Sequence, residues 1–112
     1  MTLLHDFMCF FGGAVLTNAI PHLANGLSGR PFQSPFAKPH GRGLSSSQVN
    51  VVWGFVNLLA AWLLLGLSPA FDVHRISNVL LTLAGGLVLG IWMARHFGRL
   101  HGGYPLEKSD RP

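Results

Sequence analysis

Residues 49–67 read VNVVWGFVNLLAAWLLLGL, nineteen positions without an Asp, Glu, Lys or Arg. A helix over this stretch rises about 1.5 Å per residue and so matches a hydrocarbon core about 30 Å thick. Ser45, Ser46 and Ser47 stand before it as capping hydroxyls, and Ser68-Pro69 ends it. The stretch is read as a transmembrane helix.

Two further apolar runs flank it. Residues 76–97 form the one on the C-terminal side, with Arg95 near its end able to carry its charge out to the interface. Residues 3–20 form the other, apolar apart from His5, Asp6, Thr17 and Asn18. A cleaved signal peptide competes for that first run, but such a signal needs a positive charge before its apolar segment, and here Asp6 stands instead. A retained helix is the expectation.

Composition points the same way. Of 112 residues, 49% are hydrophobic and 11% charged, less than half the roughly 25% usual for soluble domains. The net charge of +4 does not imply a nucleic-acid partner, because the cations stand beside apolar runs rather than on a polar face. A single cysteine, Cys9, leaves no internal disulfide, zinc cluster or CxxC pair to build. The expected architecture is all-α: one membrane domain over 1–112, a three-helix bundle with spans near 3–20, 49–67 and 76–97, a long Pro/Phe-rich loop at 21–48 and a tail at 98–112.

Three spans place the loop and the tail on one side. That side carries seven cations, Arg30, Lys38, Arg42, Arg95, Arg99, Lys108 and Arg111, against Arg75 alone on the other. Positive residues stay cytoplasmic, so the N-terminus is expected outside and the loop and C-terminus inside.

In lipid, helices associate through small residues and interhelical hydrogen bonds. The third span carries Asn78, Thr82, Gly86, Gly90 and Ala94 at steps of four, containing the GxxxG element GLVLG; the second carries Asn50, Gly54, Asn57 and Ala61; the first carries Ala14, Asn18 and His22, with Pro21 expected to end or kink it. These stripes read as packing faces or, in Gly54, Asn57, Asn78, Thr82, Gly86 and Gly90, as a partner interface. Depth suggests a second use, since Asn18, His22, Asn25 and Asn50 all fall near the loop side and together suggest a small polar ligand pocket.

Six histidines raise haem, with His5 and His74 outside or His22 and His96 inside as ligand pairs. The competing reading is interfacial imidazoles at span ends, so no cofactor and no metal site is expected; HExxH is absent. Asp6 and Asp72 lie near the outer surface and Glu107 and Asp110 in the tail, which leaves no mid-membrane carboxylate for a proton relay.

The loop contains PFQSPFAKPH at residues 31–40, a proline every fourth residue. A helix would not tolerate these prolines and polyproline repeats in threes, so two turns are expected, Ser34-Pro35-Phe36-Ala37 and Lys38-Pro39-His40-Gly41. Arg30, Phe32, Pro35, Phe36, Lys38 and Arg42 then either anchor the loop among anionic lipid headgroups, fold back as a lid or dock a partner.

The run HLANGLSGRPFQSPF, residues 22–36, resembles the pattern H-x-x-N-G-x-x-G-x-x-F-x-[TS]-P-F of a group of small, uncharacterised bacterial multi-span membrane proteins. The matching positions are His22, Asn25, Gly26, Gly29, Phe32, Pro35 and Phe36. The resemblance implies a bacterial inner-membrane protein and no particular chemistry. The functional expectation is a non-enzymatic accessory or assembly subunit of a larger membrane complex, partnered by other membrane subunits and by lipid. The alternative is a haem or small-molecule binder using His22.

Overall fold

The computed structural model describes residues 2–67 and 71–103. The tail positions Lys108, Arg111, Glu107 and Asp110, and the stop at Ser68-Pro69, lie outside the described residues. Three helices carry the fold: α1 (Leu3–Leu27), α2 (Ser47–Gly66) and α3 (Ile76–His101). All three are long and apolar enough to cross a membrane.

The helix starts follow local chemistry. The Thr2 side chain accepts from the His5 amide at 3.1 Å to open α1, and Ser46 accepts from the Val49 amide at 3.2 Å to open α2. At the other end of α3, Gly102 takes the left-handed conformation, φ +81°, that a helix C-terminus favours.

Helix α1 continues past Pro21 to Leu27, seven residues beyond the expected end at 20. Proline removes one backbone bond, but the next turn is held by packing on α2 and by Asn25 Nδ2 donating to the Pro21 carbonyl at 2.8 Å. The loop therefore begins at Ser28 and is shorter than expected. It is also not without secondary structure, since β1 (Phe32–Gln33) pairs antiparallel with β2 (Leu44–Ser45), Phe32 opposite Ser45.

Helix α1 lies in the middle. It packs against α2 and against α3, while α2 and α3 hardly touch each other. The α1–α3 contact is a backbone crossing: a Cβ on Gly13 would overlap the Thr82 carbonyl, and one on Gly85 would overlap the Phe10 carbonyl. Only glycine permits that approach. The expected α3 ridge is thus displaced. Steps of four rotate about 40° each around the helix, so the buried line runs from Asn78 to Gly85 and Met93, and Ala94 faces outward. Gly86 still meets the Thr17 side chain, but Gly90 stands apart with a would-be Cβ 3.8 Å from Thr17 Cγ2.

On α2 the buried residues are Asn50, Gly54, Asn57 and Ala61. Gly54 receives the Leu23 side chain. Large apolar side chains such as Val52, Phe55, Leu59, Leu83, Leu87 and Ile91 point outward, the arrangement expected of helices whose solvent is lipid.

Candidate functional site

The polar interior gathers at the two ends of α1. At the N-terminal end, His5 Nε2 donates to Asn78 Oδ1 at 2.6 Å, and the Cys9 thiol approaches the same oxygen at 3.6 Å. All three residues are buried. This knot joins α1 to α3.

At the loop end the organising residue is Asn50, which is fully buried. Its Nδ2 donates to the carbonyls of Phe32, Ser45 and Ser46 at 3.1, 3.2 and 3.0 Å. That assignment leaves Oδ1 as the acceptor, so His22 Nδ1 carries the proton in their 2.7 Å bond. One side chain thereby ties α1, the start of α2 and both strands of the loop. Deeper in the bundle, Asn18 Nδ2 donates to Asn57 Oδ1 at 2.9 Å, and Asn57 Nδ2 donates to the Trp53 carbonyl.

Helix α3 holds the loop from the other side. His96 Nε2 donates to the Gly41 carbonyl at 2.6 Å, and His101 Nε2 donates to Gln33 Oε1 at 2.9 Å. Phe32 fills the space between: its ring stands 5.5 Å from His22, 4.7 Å from Phe97 and 5.5 Å from His101. Of the three alternatives for the loop, headgroup anchor, lid or partner docking, the first is therefore corrected for Phe32, which folds back over the bundle as the lid alternative has it. Asn50 pulls its backbone inward and the ring is only 5% exposed.

The expected polar pocket of Asn18, His22, Asn25 and Asn50 is built differently. Asn18, His22 and Asn50 are bonded to protein partners, and Asn25 turns away to cap Pro21 and accept from Arg30 Nε at 3.2 Å. Of the imidazoles suggested as haem ligands, His5 and His96 are bonded through Nε2, to Asn78 and to Gly41, and His22 through Nδ1 to Asn50, while His74 is exposed. Among the described residues no group of three His, Cys, Asp or Glu is placed to hold a metal ion. The buried Trp53 Nε1 is without a hydrogen-bond partner among them, although its ring is covered by His22 and Phe36.

The loop tip is two successive turns. The first is as expected, with the Ala37 amide donating to the Ser34 carbonyl. The second is shifted by one residue: Arg42 and Gly43 donate to the Pro39 carbonyl, while the Gly41 amide reaches Ser34 instead. Gly41 has φ +72° and so takes the third turn position, where the left-handed conformation is needed, rather than the last. Phe36, 61% exposed, leans on Trp53, and Arg30, Pro35, Lys38 and Arg42 are exposed beside it. Asp6, Asp72 and Arg75 at the opposite end form no ion pair among the described residues; Asp72 accepts from the His74 amide.

Sequence reasoning missed Gly13, Gly85, Gln33, His96 and His101 as parts of this framework. Gly12-Gly13 and Gly85-Gly86 are doublets in apolar runs, a signal for a close crossing, whereas nothing local to Gln33 or His101 points to the other. Comparison with known proteins finds no matching family model, no matching curated protein and no matching solved structure.

Proposed function

We propose that the protein is a non-enzymatic accessory or assembly subunit of a larger membrane complex, and that the folded loop is its docking head. One observation carries this reading. The loop is fixed to all three helices through Asn50, His22, His96 and His101, yet presents Phe36, Lys38 and Arg42 outward. A pre-ordered surface with one exposed ring and two cations loses little entropy on binding, which favours recognition. The buried polar side chains are spent on interhelical and loop bonds, which fits a scaffold. The alternative, haem or a small molecule at His22, would have to use Nε2, since Nδ1 is held by Asn50, and requires displacing the Phe32 ring that packs on this imidazole.

The proposed setting is a bacterial inner membrane with the N-terminus outside and the loop cytoplasmic. Arg30, Lys38, Arg42, Arg95 and Arg99 stand at the loop end against Arg75 at the other, which supports that orientation. The test is isolation of the tagged protein from its native membrane in mild detergent, with mass spectrometry of its companions and an absorption spectrum. Stoichiometric membrane subunits that are lost from a Lys38→Glu, Arg42→Glu double variant support docking through the head. Equal recovery by both proteins refutes the head as the interface, and a lone protein with a Soret band refutes the subunit reading.

A further inference from the structure

The knot at the N-terminal end of α1 brings the chain's one thiol against an imidazole. His5 and Cys9 stand one helical turn apart and both face Asn78 of α3. All three side chains are more than nine-tenths buried, at 4%, 0% and 1% exposure. The His5–Asn78 bond already joins the helices, and the thiol adds little as a donor, because sulfur is a weak hydrogen-bonding group and stands 3.6 Å from Asn78 Oδ1. What it adds is a soft ligand atom 3.5 Å from an imidazole nitrogen.

Three donor atoms thus surround one point, with an amide oxygen as the third rather than another His, Cys, Asp or Glu. An ion about 2.0–2.3 Å from each, the usual range of metal–nitrogen, metal–oxygen and metal–sulfur bonds, has the Cys9 sulfur at angles of about 110° from both His5 Nε2 and Asn78 Oδ1. Only the nitrogen–oxygen edge, 2.6 Å across as a hydrogen bond, has to widen once its proton leaves. Charge selects the ion. A buried net charge within a membrane span is costly, and one thiolate with a neutral imidazole and a neutral amide balances a monovalent cation but leaves a divalent one in excess. Among monovalent ions, a soft thiolate selects copper(I). The carboxylates among the described residues, Asp6 and Asp72, both stand at this end against Arg75, and they draw cations towards it.

We propose that Cys9, His5 and Asn78 form a buried copper(I) site that joins α1 to α3. On binding, the thiol releases its proton to solvent, the His5 ring carries its proton at Nδ1 instead of Nε2, and Asn78 Oδ1 completes a three-coordinate site. Copper stays monovalent throughout. The site lies at the opposite end of the bundle from the docking head and does not rest on that reading.

The test offers copper(I), as its bicinchoninate complex with ascorbate and without air, to the purified full chain in detergent, and reads the loss of the complex's colour together with thermal unfolding. Wild-type protein is expected to take one copper(I) per chain and to unfold at a higher temperature with it. Cys9→Ser keeps a hydroxyl beside Asn78 and His5→Gln keeps an amide donor, yet each should lose both the transfer and the thermal shift. His74→Ala, which removes an exposed imidazole at the same end, should take up copper as the wild type does. X-ray absorption of the loaded wild type, expected to show a sulfur and a nitrogen ligand, keeps the site testable if neither buried variant folds. No uptake by the wild type, undiminished uptake by Cys9→Ser, uptake lost in His74→Ala, or bound copper without a sulfur ligand overturns the proposal.

Discussion

Asn50 accepts the His22 Nδ1 proton at 2.7 Å while its own amide nitrogen holds the Phe32, Ser45 and Ser46 carbonyls, so the α1–α2 contact and the loop closure share one side chain. Removing it should uncouple both at once. Asn50→Ala leaves the imidazole N–H without its acceptor and takes the side-chain donor from the Phe32 and Ser45 carbonyls, while Ser46 keeps the residue-50 backbone amide, a loss of about 3 kcal/mol. Asn50→Asp should be worse, because a second oxygen then faces those carbonyls. Limited trypsin digestion checks this: cleavage after Arg42, the loop cation that no proline follows, should accelerate in both variants before α3 is cut after Arg95 or Arg99. Wild-type cleavage rates in Asn50→Ala would show that the loop is held by other contacts.

Phe32 and Phe36 are four residues apart and look alike in sequence, yet they occupy opposite situations. Phe32→Ala removes a ring packed on His22, Phe97 and His101 and should cost about 3–5 kcal/mol. Phe36→Ala trims a ring that is 61% exposed and should cost under about 1 kcal/mol. Thermal unfolding of the two variants in the same detergent separates them. Similar losses would mean that Phe32 is not the centre of the loop cluster.

The helix crossing makes a prediction about single methyl groups. Gly13→Ala or Gly85→Ala places Cβ on a facing backbone carbonyl, which neither helix can relieve by a rotamer change, so each should weaken the α1–α3 pair by about 2 kcal/mol or more. Gly90→Ala, with 3.8 Å to its nearest neighbour, should be neutral. Thermal unfolding checks the order. A destabilising Gly90→Ala beside a tolerated Gly85→Ala would restore the GxxxG ridge as the packing line.

These cases show what the chain makes legible. The α2 face of Asn50, Gly54, Asn57 and Ala61 was readable because its steps of four, three and four average close to 3.6 residues and so stay on one side of a helix. The α3 series at constant steps of four drifts, and the buried position passes from Gly86 to its neighbour Gly85. The spans were readable from length and apolarity, and the first turn from Pro35. What could not be read were pairings set by tertiary contact: Gln33 with His101 and Gly41 with His96. Each depends on α3 returning to the loop, and no local pattern in the loop encodes where α3 stands.

The Asn18–Asn57 bond, at 2.9 Å between α1 and α2, tests how much a buried amide pair contributes to this fold. Such bonds in membranes contribute about 0.6 kcal/mol on average, because the separated helices find other partners. Truncation is a different matter. Asn57→Leu removes the acceptor for Asn18 and should cost about 1–2 kcal/mol, while Asn18→Leu frees Asn57 Oδ1 with a similar effect. Replacing both leaves no orphaned group, so the double variant should be less destabilised than the sum of the two and close to either one. A double-mutant cycle by thermal unfolding gives the coupling directly. Additive losses would mean that the two amides do not act as a pair, and that Asn57 is retained for its bond to the Trp53 carbonyl alone.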